Sequence, residues 1–216
     1  MNTQDKRSVT ILTTLGLSLG VASFSTHAEQ KNGIAAGDMF MRLTATQVAP
    51  NSSSTDFTLA PGVAPDAEDS TSLGITFVYM INNNVGFEVL AAWPFEHDIT
   101  VNGAKVGSTK QLPPTLSLQY YFNPTSKLRP YIGAGINYTT FFSSSTVDGL
   151  GGDLSLDDSF GLAAQIGVDY DINEKWFLNA DIRYINIETT AEIAAVGTSN
   201  VEINPTVFSV GVGYKF

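Results

Sequence analysis

Side chains that commonly perform covalent or acid–base catalysis are scarce in this chain of 216 residues, which has two histidines and no cysteine. His97 precedes Asp98 and could form a Ser-His-Asp arrangement with a loop serine, but no fixed nucleophile motif accompanies it. The absence of cysteine also excludes a disulfide framework. The sequence therefore does not predict an enzyme.

A second set of reactive groups is a cluster of carboxylates between residues 148 and 158, formed by Asp148, Asp153, Asp157 and Asp158. Carboxylate oxygens bind Ca²⁺, but this spacing is not that of an EF-hand loop, so a solvated acidic loop is the simpler interpretation. We predict no metal site and no cofactor. The formal net charge of −10 argues against nucleic acid as a partner.

A third set of charged and amide side chains lies inside segments that alternate between bulky apolar residues and small or polar ones. The small and polar face carries Arg42, Arg183, Glu88, Asp169, Asp181, Gln119 and Gln165. An unpaired charge is costly in a confined space. We therefore expect the two arginines to pair with carboxylates if the fold brings this face together.

Eight alternating segments have roughly the length of a tilted membrane-spanning strand. They cover residues 38–49, 71–82, 85–96, 111–123, 130–142, 159–172, 176–188 and 205–216. In the last segment, Phe208 and Val210 alternate with Ser209 and Gly211. No segment carries a sustained 3.6-residue stripe, so the pattern favours strands over helices.

The connections alternate between short turns and long polar links. The turns cover 82–84, 123–129 and 173–175, and the links cover 50–70, 97–110, 143–158 and 189–204. This alternation is typical of an up-and-down outer-membrane barrel with periplasmic turns, external loops and periplasmic termini. The predicted fold is all-β: one eight-stranded antiparallel up-and-down transmembrane β-barrel formed by residues 29–216.

A soluble barrel of the lipocalin type is the main alternative, and the two differ in which face points outward. The small and polar face contains many glycines and cannot form a packed apolar core, so we place it toward the lumen. The apolar face has aromatic residues near both ends of the strands, as two membrane interfaces favour. They are Tyr79, Tyr120, Phe122, Tyr170, Trp176, Tyr214 and Phe216 near the short turns, and Trp93, Phe95, Phe142, Phe160 and Phe208 near the long links.

The amino terminus has the pattern of a secretory signal. Lys6 and Arg7 precede an apolar stretch from residue 9 to 24, which ends in Thr26-His27-Ala28. We predict a cleaved signal peptide of residues 1–28, because the apolar stretch is short and thinly apolar for a spanning helix. Export followed by insertion into the outer membrane is the predicted location.

Several blocks of sequence resemble the OmpW family of small outer-membrane barrels along essentially the whole chain after the signal. They include Ala36-Gly37-Asp38-Met39-Phe40-Met41-Arg42, Leu112-Pro113-Pro114-Thr115-Leu116, Arg129-Pro130-Tyr131-Ile132-Gly133-Ala134-Gly135 and the ending Gly213-Tyr214-Lys215-Phe216. The resemblance implies a narrow lumen of apolar character and a conduit for small hydrophobic molecules. It also implies receptor roles for colicins or phages, and it makes Phe216 similar to a signal read by the barrel-assembly machinery.

The resemblance leaves a second function open, a closed barrel that acts as a surface receptor, adhesin or stress-related structural protein without transport. Outer-membrane lipid and lipopolysaccharide are expected partners of either form. The position of Leu90 is apolar in relatives and narrows the lumen there. The position of Arg183 is aromatic in known members of the OmpW family. Arginine there departs from the family pattern and makes this lumen more polar.

We expect the inward charges to form a polar plug in the periplasmic half of the lumen. Phe40 and Leu90 are apolar residues on the polar side of their strands and also face the lumen. Simple filling of a small barrel is the alternative.

Pro94, Pro113 and Pro114 lie near the outer ends of the third and fourth segments. Each proline removes a ladder donor, so these residues either end two strands or weaken the wall enough for an apolar molecule to leave sideways.

Overall fold

The computed structural model describes residues 33–101, 103–147 and 154–216, which form fifteen β-strands. Within these ranges no helix is long and apolar enough to cross a membrane. The strands are β1 Met39–Ala49, β2 Ser53–Ser54, β3 Asp66–Ala67, β4 Ser70–Met80, β5 Val85–Ala92, β6 Phe95–Val101, β7 Ala104–Leu112, β8 Thr115–Tyr121, β9 Leu128–Thr146, β10 Leu154–Leu156, β11 Ser159–Asp171, β12 Trp176–Ile185, β13 Glu188–Ile193, β14 Gly197–Glu202 and β15 Thr206–Lys215. The predicted signal peptide lies outside the described residues.

Eight of these strands close into an antiparallel barrel, which confirms the predicted fold class. Around the barrel the order is β1, β4, β5, β8, β9, β11, β12 and β15. The first and last strands pair with each other, with Phe40 opposite Lys215. A closed sheet has no free edge, so the backbone donors and acceptors along its ladders pair within the wall.

The bulky apolar face points outward, as predicted. On β4, Leu73, Ile75, Phe77 and Tyr79 are exposed, whereas Thr76 and Val78 between them are buried. Exposed aromatic residues stand near both ends of the barrel strands, for example Trp176 at the short-turn end and Trp93 at the long-link end. Phe95 differs from the prediction because it is buried rather than part of the outer aromatic band.

The long links are not irregular loops, which corrects the predicted division into strands and polar links. A second sheet of β10, β13, β14 and β2 rises above the barrel, and β3, β6 and β7 pair in order onto the far end of β9. The physical reason is that these segments also alternate: in β13, Thr189, Ala191 and Ile193 are buried, with exposed or half-buried residues between them. We call this region the extension.

Two apolar clusters lie on the axis of the molecule. The lower cluster, at the short-turn end, contains Ile34, Phe40, Val78, Met80, Tyr121, Tyr131 and Phe177. The upper cluster fills the long-link end and the extension, and it includes Val48, Phe95, Ile185, Ile203 and Val207. Arg42, Glu88, Asp169, Asp181 and Arg183 lie between the two clusters, so the fold determines the level of this polar site.

Candidate functional site

Strand alternation and register bring the inward polar residues of five strands, β1, β5, β8, β11 and β12, to similar heights. On β11 and β12, Gln165 pairs with Arg183 and Gly167 pairs with Asp181. Glycine on this face provides space for large neighbours: an added Cβ at Gly167 would clash with the Tyr131 ring, and one at Gly213 would clash with the Phe177 ring. The glycines therefore make room for bulky side chains that fill the lumen.

These inward residues form what we call the polar layer, and the Glu88 carboxylate is its centre. Its members are Arg42, Glu88, Gln119, Gln165, Asp169, Asp181 and Arg183. Its Oε1 accepts hydrogen bonds from Arg183 Nη2 at 3.0 Å and from Gln165 Nε2 at 2.9 Å. Its Oε2 accepts from Gln119 Nε2 and lies 3.4 Å from Arg42 Nη1. Glu88 is 1% exposed. Four donors from four strands thus meet at one buried carboxylate, which ties the strands together across the lumen.

Arg42 forms the second ion pair of this layer. Its Nε and Nη2 donate to the two oxygens of Asp169 at 3.2 and 2.9 Å, the two-point geometry that suits a guanidinium and a carboxylate. Nη2 also donates to the Tyr121 hydroxyl at 2.7 Å. The guanidinium lies over the Phe40 and Tyr131 rings at 5.2 and 4.9 Å, so cation–π contacts fix it from below. Arg42 therefore joins the polar layer to the lower cluster.

Asp181 and Arg183 differ from the other members because they are incompletely paired. Asp181 Oδ1 lies 4.0 Å from Arg183 Nε. Within the part of the chain that the structure describes, Asp181 Oδ1 and Arg183 Nη1 have no hydrogen-bond partner. Two arginines and three carboxylates (+2 and −3) also leave the layer with a formal charge of −1.

The lower end of the lumen contains a second ionic group that the sequence analysis missed. Asp171 Oδ2 accepts from Arg129 Nη1 at 2.6 Å and from Lys215 Nζ at 2.9 Å. The Gly33 backbone N–H donates to the same oxygen at 3.2 Å, and Lys215 Nζ donates to the Gly33 carbonyl at 3.3 Å. Asp171 and Lys215 stand on the polar faces of their segments, so alternation could have identified them. This group and the lower cluster seal the short-turn end.

Phe40 and Leu90, the two apolar residues predicted to face the lumen, occupy different levels. Phe40 is fully buried in the lower cluster, with its ring edge-on to Tyr121 and Phe177. It belongs to the seal. Leu90 is half-buried and lines a cavity directly above the polar layer, together with Asp181 and Arg183. Leu90 therefore lies on the long-link side of the polar layer.

Two small cavities lie above the polar layer. The lower cavity has a volume of about 30 Å³ and is lined by Leu90, Ala92, Phe95, Pro113 and Val207, among others. The upper cavity, inside the extension, has a volume of about 20 Å³. The Gln111 side chain lines both cavities and separates them. Each has room for little more than water, so the lumen is closed in this conformation.

The three prolines interrupt the wall beside the lower cavity. Pro94 joins β5 to β6, and Pro113 and Pro114 join β7 to β8. The β5–β8 ladder ends at the pair Leu90–Thr115, immediately before Pro114. On the other side the wall continues, because β7 and β8 both pair with β9, and Asn137 Nδ2 donates to the Pro113 and Pro114 carbonyls at 3.2 Å each. The prolines thus separate successive strands within the wall instead of lying near the tips of two long strands.

The remaining predicted residues lie away from the lumen. Phe216 is 68% exposed at the short-turn end, where its ring lies 6.2 Å from Phe77 and 5.5 Å from Tyr214. Asp148 and Asp153 lie outside the described residues. Asp158 is exposed and accepts a hydrogen bond from the Tyr138 hydroxyl, which lowers the Asp158 pKa.

His97 is buried in the extension, beyond the outward apolar band. One ring nitrogen, Nδ1, is bonded to the Glu68 carbonyl at 2.6 Å, and Nε2 is 2.9 Å from Gln111 Nε2. Burial lowers the pKa of the imidazole below its ordinary value. Since the carbonyl can only accept, Nδ1 carries the proton and Nε2 accepts from the Gln111 amide, as in a neutral imidazole.

Known proteins share this architecture and sequence. The model of the OmpW family matches residues 35–216. Outer membrane protein W of Vibrio cholerae is 49% identical over 195 residues, with 83% of this chain and 89% of that protein covered. The crystal structure of outer membrane protein OprG from Pseudomonas aeruginosa matches with a TM-score of 0.81 and 38% identity, over 87% of this chain and 99% of that chain.

A further relative is the dibenzothiophene metabolism operon protein PahQ of Pseudomonas aeruginosa. It is 30% identical over 164 residues, with 72% of this chain and 76% of PahQ covered. The resemblance inferred from the sequence blocks is therefore confirmed. The chain belongs to the OmpW family and is a β-barrel of the bacterial outer membrane.

Proposed function

We propose that this barrel is a conduit that admits small hydrophobic molecules from outside the cell and releases them sideways into the outer membrane. The observation that carries the proposal is an apolar cavity that has a sealed polar floor and an interrupted wall. A solute that enters from the long-link end meets the polar layer below it. The stretch of wall beside it, between Leu90 and Pro113, lacks ladder hydrogen bonds.

The polar layer makes axial passage unfavourable for an apolar solute. To reach the periplasm, the solute would have to separate buried ion pairs at Arg42 and Glu88, and removing a partner from such a pair costs about 3–5 kcal/mol. It would then have to displace the lower cluster and the Asp171 group. The gap in the wall requires no such separation, since no β5–β8 backbone hydrogen bond has to break beyond Leu90.

The lining of the lower cavity and the name of one relative both favour an apolar cargo. Apart from a rim of hydroxyls, the Gln111 amide and the Asp181–Arg183 pair, the lower cavity is lined by aliphatic side chains, an aromatic ring and proline. PahQ takes its name from an operon for the metabolism of dibenzothiophene, an apolar polycyclic compound. Passage of a molecule of that size requires the cavities of about 30 and 20 Å³ to widen.

A non-catalytic role is part of the proposal. In the described part of the chain both ring nitrogens of His97 are engaged, so neither is free to activate a serine. Recognition of Phe216 by the barrel-assembly machinery, binding of lipopolysaccharide, and receptor roles for phages or colicins stay predictions. The cleaved signal peptide of residues 1–28 likewise stays a prediction.

The experiment is hydrophobic-tracer uptake by Gram-negative cells that lack their own OmpW-type barrel and express this one. Uptake of N-phenyl-1-naphthylamine is followed by the rise in its fluorescence in lipid. We expect Pro113→Ala/Pro114→Ala to reduce uptake, because two new backbone N–H groups can extend the β5–β8 ladder and close the gap. The matched control is Pro130→Ala, which changes a wall proline far from the gap.

Two results would contradict the proposal in different ways. Unchanged uptake in the double alanine variant, with normal heat-modifiable mobility as the sign of a folded barrel, would remove the lateral route. If cells that express the wild-type barrel take up no more tracer than cells without it, the barrel does not transport the tracer. That second result would favour the closed receptor platform, which the small cavity volumes also fit.

A further inference from the structure

We infer that the floor of the lower cavity is a subsite for a neutral hydroxyl head group, and that the cargo includes straight-chain alcohols or similar apolar molecules with a terminal hydroxyl. This inference rests on the proposed conduit and names the class of molecule that its floor recognises. It arises from Asp181 Oδ1 and Arg183 Nη1, a buried acceptor and a buried donor without hydrogen-bond partners among the described residues, on two side chains that line the lower cavity.

Both groups are deeply buried. The side chains of Asp181 and Arg183 are 8% and 4% exposed. Buried polar atoms in proteins nearly always have partners, and an unsatisfied charged group is among the costliest to bury. Arg183 is held in place by Glu88 and Gln165, so its free Nη1 cannot turn away toward solvent without breaking those bonds. A bound head group would satisfy both atoms at once.

The charge and the hydrogen-bonding capacity of the floor select among possible head groups. A carboxylate would add negative charge to a layer whose formal charge is already −1. An ammonium would satisfy Asp181 but offers no acceptor to Arg183, and an ester or aldehyde accepts without donating. A hydroxyl both donates and accepts, so it can donate to Asp181 Oδ1 and accept from Arg183 Nη1. A hydrocarbon leaves both atoms unpaired.

The surroundings of the two atoms provide a place for the rest of such a molecule. Hydroxyl side chains rim the floor: Thr46 Oγ1 lies 3.0 Å from Thr44 Oγ1 and 3.3 Å from Ser209 Oγ. The volume of about 30 Å³ accommodates a head group but not a long chain. Leu90 and Pro113, which border the wall gap, line the same cavity. With the hydroxyl on the floor, the apolar chain therefore extends toward the gap and the lipid.

The test compares 1-decanol with decane in the same expressing cells, using the ratio of their initial uptake rates. We expect Asp181→Leu to lower the decanol-to-decane ratio about fivefold, which is the loss of one ordinary hydrogen bond. Asp181→Asn keeps an acceptor oxygen and should restore most of the ratio. The matched control is Glu192→Leu, which removes an exposed carboxylate on the extension and should leave the ratio unchanged.

A second measurement keeps the two proposals distinct. The Arg183 Nε resonance of the refolded, ¹⁵N-labelled protein in detergent is followed during titration with 1-decanol and with decane. A saturable shift with decanol alone supports the subsite even if cells show no uptake, in which case only the conduit fails. An unchanged uptake ratio in Asp181→Leu together with no saturable shift would overturn the subsite while leaving a conduit for plain hydrocarbons intact.

Discussion

Replacing Glu88 with glutamine tests whether the polar layer is held together by one carboxylate. Arg42 keeps both of its bonds to Asp169 in this variant, so most of the loss falls on Arg183. The carboxylate left near Arg183 is Asp181, at 4.0 Å and without a hydrogen bond to it. Removal of one partner from a buried ion pair costs about 3–5 kcal/mol, and we expect a loss of unfolding free energy in that range.

The assay is equilibrium urea unfolding of the refolded protein in lipid vesicles, followed by tryptophan fluorescence. Trp93 and Trp176 are 74% and 47% exposed on the outward face, so their emission reports contact with lipid. Glu96→Gln is the matched control: its partner, Lys110, is 3.8 Å away and both side chains are largely exposed, so we expect a loss of no more than about 1 kcal/mol.

A double variant separates lost pairing from lost packing. Adding Arg183→Met to Glu88→Gln removes the charge that the single variant leaves buried without its carboxylate. The double variant should therefore be more stable than Glu88→Gln alone, with a coupling energy of about 1–3 kcal/mol. If the two losses simply add, Arg183 does not depend on Glu88, and the description of one shared carboxylate is wrong.

Two further predictions concern the ends of the molecule. Phe216 is exposed at the short-turn end, and its deletion should slow assembly in cells, as measured by the heat-modifiable mobility of pulse-labelled protein. The yield of refolding into vesicles should be nearly unchanged. An equal loss in both measurements would assign Phe216 a purely structural role. Because burial lowers the pKa of His97, the unfolded imidazole binds a proton first as the pH falls below about 6.5. The extension should therefore be most stable above that pH and lose protection against hydrogen exchange toward the lower folded pKa, and His97→Asn should abolish this pH dependence; a dependence that persists in His97→Asn would refute it.

The barrel strands could be predicted from sequence because each carries a long two-residue alternation. The last segment, predicted at 205–216, is β15 at Thr206–Lys215. The fourth segment was predicted as one strand through Pro113 and Pro114, but the structure divides it into the end of β7 and β8. Pro113 and Pro114 themselves indicate this break, since neither has a backbone N–H to donate to a strand ladder.

The extension was missed for a different physical reason. Its strands lie beyond the apolar band, where polar side chains are tolerated on the outer face, so their composition is typical of loops. The buried row of β13 and β14 has few apolar members: Ala191, Ile193 and Val201. Pairing between segments far apart in the chain, such as β14 with β2, stabilises them, and such pairing is not visible in a local pattern.

The polar layer was only partly predictable. Alternation identified Arg42 and Glu88 as facing inward, but the partners that share a height depend on the stagger of the closed sheet. Tyr121 and Tyr131 also face inward, although they are not among the predicted lumen residues. An added Cβ at Gly167 would clash with the Tyr131 ring, and one at Gly86 would contact the Tyr121 ring at 3.5 Å, so both rings fill volume that glycines leave free.

The contacts of Gly33 and Ile34 have a consequence for the order of assembly. Their partners are a turn carbonyl at Pro124, a carboxylate from β11 and an ammonium from the final strand. These partners are synthesised long after the residues that they hold. The bottom of the molecule can therefore become leak-tight only once the last strand has joined the first, so an unfinished barrel differs from a finished one in its permeability to ions.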